Sequence, residues 1–126
     1  MSAVETTAAG RAIADVLAAL ELAGISATRD AGAFYPQPVG VLVGLPTLDK
    51  RGLAASFFSI PVLVVSGDPL STPLAVDRIY ALADDAAIVL GVDAYRPSSW
   101  RSSVNAEPLP AVELTVTVLA ETEMEA

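Results

Sequence analysis

The sequence predicts an α+β fold: a two-layer sandwich with two helices on one face of a mainly antiparallel sheet, in the order α-β-β-β-α-β-β. Three observations predict it. Two segments carry apolar residues at helical spacing and end at glycine, Gly24 and Gly91. The other apolar segments are short and alternate with period two. The chain has 126 residues, which suits one domain spanning 1–126. At that size about two-thirds of the unfolded surface is buried on folding, so neither metal nor disulfide is needed.

The first helix spans about Glu5 to Ala23. Ile13, Val16, Leu17 and Leu20 form its apolar stripe, and Gly24 with Ile25 suits a Schellman-type end. A short strand over Ile25 to Arg29 precedes a turn at Asp30-Ala31-Gly32. Pro36 and Pro38 then hold the chain extended. From Val39 to Leu45 a strand puts Val39, Val41, Val43 and Leu45 on one face and Gly40, Leu42 and Gly44 on the other, and Pro46 ends it.

Thr47 to Leu53 reads as a polar loop. The long strand that follows, Ala54 to Ser66, is apolar on both faces and therefore central, but Pro61 demands an edge or a bulge where its N–H is missing. Thr72-Pro73 opens the second helix with a capping hydroxyl and a proline in the first turn. Its stripe is Val76, Ile79, Tyr80, Ala83, Ala86, Ala87 and Leu90, ending at Gly91. A short strand closes near Tyr95, and Pro97 to Pro110 reads as a long connection. Ala111 to Ala120 alternates Val112, Leu114, Val116 and Val118 with Glu113, Thr115 and Thr117, as a strand does. Residues 121–126 read as a frayed acidic tail.

Composition narrows the function. The chain has no histidine and no cysteine, so the usual general base, the soft metal ligands and the strongest nucleophile are missing. No catalytic residue, cofactor site or metal site is expected, and the chain reads as a non-enzyme. Net charge is −8, from 15 acids and 7 bases, which disfavours binding to phosphate backbones. Hydrophobic residues make up 53% against 17% charged, an apolar excess that suggests a partner-covered surface. The first residues lack the basic region of a secretory signal, and no apolar run reaches a membrane-spanning length.

Few constellations stand out. Asp84 and Asp85 are helix neighbours that do not face each other, so they read as solvated charge. Asp68, Asp77 and Asp93 match no calcium-loop spacing. Gly40 and Gly44 lack the basic residue and the helix of a phosphate loop. Asp49, Lys50 and Arg51 read either as a contact loop or as a solvated hairpin tip. Trp100 with Arg101 reads either as an interface anchor or as a cap on the edge of the core.

Several stretches have a familiar layout. A helix ending Leu20-Glu21-Leu22-Ala23-Gly24-Ile25 leads to Tyr35-Pro36-Gln37-Pro38 and Val41-Leu42-Val43-Gly44-Leu45-Pro46. Ile60-Pro61-Val62-Leu63-Val64-Val65, the helix Ala75-Val76-Asp77-Arg78-Ile79-Tyr80-Ala81-Leu82-Ala83-Asp84 and the closing Pro110-Ala111-Val112-Glu113-Leu114-Thr115-Val116 complete it. Over nearly its whole length the chain resembles tail terminator proteins of long-tailed, siphovirus-type phages of actinobacteria.

The resemblance implies a virion protein at the head-proximal end of the tail, assembled in the host cytoplasm. It implies a homo-hexameric ring that caps the tail tube, stops its polymerisation and offers a docking face to the head–tail connector. DNA would pass through the lumen without sequence-specific binding, and no membrane is involved. The family has no active site to carry over. The alternatives are a head–tail connector or completion protein, a small-molecule-binding α+β regulatory domain, and an enzyme working with carboxylates alone. Asp49, Lys50, Arg51, Trp100 and Arg101 are the expected interface residues.

Overall fold

The computed structural model describes residues 7–52, 54–101 and 108–121. Helix α1 spans Ala8–Leu22 and α2 spans Pro73–Leu90. The strands are β1 (Ala27–Thr28), β2 (Val39–Val43), β3 (Thr47–Arg51), β4 (Ala55–Ser66), β5 (Tyr95–Trp100) and β6 (Leu109–Glu121). They form one sheet in the order β1-β2-β4-β6-β5, with β3 also on β4. Every pairing is antiparallel except β1 with β2. The α+β sandwich is therefore as expected, with one strand more than the sequence suggested.

The helix ends follow from local chemistry. Thr7 caps α1 by accepting from Gly10 N–H at 2.9 Å, and Thr72 caps α2 by accepting from Ala75 N–H at 3.2 Å. Beyond α1, Gly24 has φ 81°, and the N–H groups of Gly24 and Ile25 return to the carbonyls of Glu21 and Leu20. That is the Schellman arrangement. Gly91 ends α2 in the same left-handed region, φ 67°, and Val92 N–H returns to Ala87.

Both helices cover one face of the sheet. Ile13, Val16 and Leu20 of α1 and Ile79, Ala83 and Ala86 of α2 pack with Val41, Val43, Phe58, Ile60, Val62, Val64, Val112, Leu114 and Val116. Alternation accounts for this list, since these strand residues all point one way. The alanines let α2 approach closely, and Ala83 and Ala86 have no exposed surface.

The strands expected over Ile25–Arg29 and Val39–Leu45 are shorter, Ala27–Thr28 and Val39–Val43, and three further stretches differ from expectation. Thr47 to Arg51 is strand β3, not loop, although all five residues are exposed. Charged residues hide a strand that, among the described residues, has one neighbour and no buried face. Leu53 lies outside the described residues. Pro97 to Trp100 belongs to β5 rather than to a long connection, and β6 already begins at Leu109. Pro97 is admissible because β5 is an edge strand. Asn105 lies outside the described residues. Glu121 ends β6 opposite Ala55 instead of opening a frayed tail; positions 122–126 lie outside the described residues.

Pro61 finds neither an edge nor a bulge. It faces the gap between β2 and β3, which share one side of β4: β2 pairs with Val62–Ser66 and β3 with Ser56–Ser59. Its carbonyl accepts from Gly44 N–H at 2.7 Å, and its missing donor falls where the chain leaves the ladder. The break at Gly44-Leu45-Pro46 thus accommodates a proline inside a central strand.

Candidate functional site

The sheet face away from the helices is divided in two. At one end the segment after β1 folds over it. Phe34 meets Trp100 edge-on, with ring centroids 5.1 Å apart at 87°. Gly40 lies directly under Phe34: an added Cβ would be 2.8 Å from Phe34 Cε1 and 3.1 Å from Pro36 Cα. Leu42, Val65 and Ala111 are buried at this end, forming a small second core.

The other end is open. Here β3, β4 and β6 run side by side, and Lys50, Phe57 and Leu119 form one row across them. Phe57 is 40% exposed and Leu119 56%, and Leu45, in the break before β3, is 83% exposed. Thr115 and Thr117 continue the open surface along β6. β5 pairs with β6 only up to Leu114, so among the described residues no strand flanks Thr115–Glu121 on its outer side. Among the described residues the outer edge of β3 has no strand partner either.

The expected interface residues fall into two groups. Asp49, Lys50 and Arg51 lie on β3 at the open end. A bulge between Leu48 and Lys50 lets the Asp49 carboxylate accept from the Ser59 hydroxyl of its own sheet, and Asp49, Lys50 and Arg51 are all exposed. Trp100 and Arg101 lie at the covered end. Trp100 is half-buried against Phe34, Arg101 is exposed, and Trp100 pairs with Leu109. The rows at Leu109 and Leu119 are separated by roughly 33 Å of strand, so the groups do not form one site.

Two features escaped sequence reading. Asp84 accepts a hydrogen bond from Tyr95 Oη at 2.5 Å, and Tyr95 lies 5.7 Å from Tyr80 between ring centroids. The hydrogen bond to the Asp84 carboxylate holds the Tyr95 phenol above its ordinary pKa, with burial and the Asp84 charge adding to the effect. No spacing rule links a helix residue to a strand eleven positions on. The second is a shallow groove between the end of α2 and the edge of β6, lined by Val92, Asp93, Arg96, Glu113 and Thr115. Arg96 and Glu113 form a 3.3 Å surface ion pair across it. Such an exposed pair contributes little to stability.

Among the described residues no group of three acids is placed to hold a metal ion, and no helix is long and apolar enough to cross a membrane. The open end offers contact area and backbone edges. No protein-family model matches the chain, and no curated protein is similar enough to serve as a relative.

Proposed function

We propose that this chain is a structural subunit of a phage tail, acting as a tail terminator. Copies form a ring, in our reading a hexamer, that caps the tail tube, stops its growth and presents a docking face to the head–tail connector. The chain works through surface fit and carries out no chemistry. DNA crosses the lumen without sequence-specific contacts, in keeping with the net charge of −8.

One observation carries the assembly part of this reading: among the described residues, half of the outer sheet face is left open, with Phe57, Leu119 and Leu45 exposed between two unpaired strand edges. Soluble monomers seldom leave such edges bare, because a free edge is a template for another chain. The assignment to a tail rests on the resemblance described above.

The test is the native mass of the purified chain, alone and mixed with polymerising tail-tube protein. The expected outcome is a ring that binds tube ends and shortens tubes in proportion to its concentration. A monomer that leaves tube length unchanged overturns the proposal. A ring that binds portal-type connectors but ignores tube ends would instead make it a head–tail joining protein. Replacing both Lys50 and Arg51 by Glu is expected to weaken ring association on the order of tenfold while the monomer stays folded, because both side chains are exposed.

A further inference from the structure

We propose that neighbouring copies join edge to edge, with the outer edge of β3 in one copy lying parallel to the Thr115–Glu121 edge of β6 in the next. This rests on the reading of the chain as an assembly subunit and names the partner of the open edge: a second copy of the same chain.

The backbone of β6 is arranged for this. Gly44 N–H donates to the Pro61 carbonyl, so odd-numbered residues of β4 direct their backbone groups toward β2 and β3. Even-numbered ones then face β6, where Phe58 is opposite Val118 and Ile60 opposite Val116. It follows that Val116, Val118 and Ala120 bond to β4, while Thr115, Thr117, Leu119 and Glu121 turn their N–H and C=O groups outward. From Thr115 to Ala120 this edge has no charge, no proline and no bulge, the devices that normally discourage pairing.

β3 supplies the complementary edge. It lies on the opposite side of the same three-strand segment and is itself antiparallel to β4, so β3 and β6 run in the same direction. Rotation about an axis along the strands brings one copy's β3 beside the next copy's β6 at the same level, and repetition closes a ring. Charge favours this pairing. β3 carries the exposed Asp49, Lys50 and Arg51, a net charge of +1, with the Asp49 carboxylate accepting from Ser59. β6 ends at an acidic residue, Glu121. The bulge and Lys50 deter indiscriminate partners, so β3 admits an acidic strand end in preference to others. A twofold pairing of β6 with β6 would leave this basic pair unmatched.

The chain has no cysteine, so introduced pairs report contacts cleanly. Lys50→Cys combined with Leu119→Cys, or with Thr117→Cys, is expected to give a disulfide ladder on a non-reducing gel up to the full ring. Within one copy β4 separates these positions by about 10 Å, too far for a disulfide. Thr117→Pro deletes an outward N–H only and is expected to yield folded monomers, judged by circular dichroism and native mass. Val118→Pro deletes a ladder donor to β4 and is expected to unfold the chain. Rings that form without cross-links, or that survive Thr117→Pro, overturn the edge pairing and leave the ring reading standing. Dimers linked through Leu119→Cys alone overturn it in favour of the twofold arrangement. A wild-type chain that remains monomeric overturns both, whereas cross-linked rings that ignore tube ends overturn only the tail assignment.

Discussion

Gly40 and Gly24 are glycines for different reasons, and the difference is measurable. At Gly40 the constraint is space, since any side chain runs into Phe34 and the Pro36 backbone. Gly40→Ala is expected to destabilise by about 1–3 kcal/mol in urea unfolding and to loosen the Phe34–Trp100 contact, seen as a change in tryptophan fluorescence. At Gly24 nothing lies within 4 Å of an added Cβ, and the constraint is the backbone, at φ 81°. Gly24→Ala is expected to cost about 1 kcal/mol and to leave the fluorescence unchanged. Tyr95 gives a pH prediction. Its phenol is raised in the folded state, so the fold holds that proton more tightly than the unfolded chain does. The associated stability is fully present below pH 10 and is lost as pH rises through the folded value. Tyr95→Phe should remove this alkaline dependence; an unchanged slope of stability against pH above 10 would contradict it. The Gly40 approach was foreshadowed by two glycines on one strand face, whereas the Tyr95–Asp84 bond depends on how α2 lies on the sheet, which no local pattern encodes.

Among the elements, those with a buried face were legible and those without were not. The stripe of α2 marked its core side, because only one face of a helix reaches the sheet. Its cap was legible too, and Thr72→Ala is expected to lower stability by about 1 kcal/mol, checked by thermal unfolding. β4 and β6 announced themselves by alternation. β3 did not, because it is exposed along its whole length and held by backbone bonds to a single neighbour. β5 was masked by Pro97 and its serines, which an edge strand tolerates. The bases of the candidate site were legible as charges in an apolar chain. Their placement on a strand edge, and the bare edge of β6 across the segment, were not, because both arise from pairings between distant parts of the chain.

At the scale of the whole molecule, an association that joins a basic edge to an acidic strand end should weaken as salt is raised, because the paired charges remain near solvent. Sedimentation at increasing ionic strength is expected to shift the population toward lower mass. Insensitivity to salt would assign the contact to Phe57, Leu119 and Leu45 instead. The interruption at Gly44-Leu45-Pro46 has its own consequence. It separates the β2 pairing, where Leu42 is covered on the outer face, from the β3 pairing, which has no such cover. The two halves of that hairpin arm need not melt together. In deuterated buffer the amides of Leu42 and Val43 should exchange only when the entire domain opens, while those of β3 become labelled through a cheaper, local release, and capture by a neighbour should slow the latter alone.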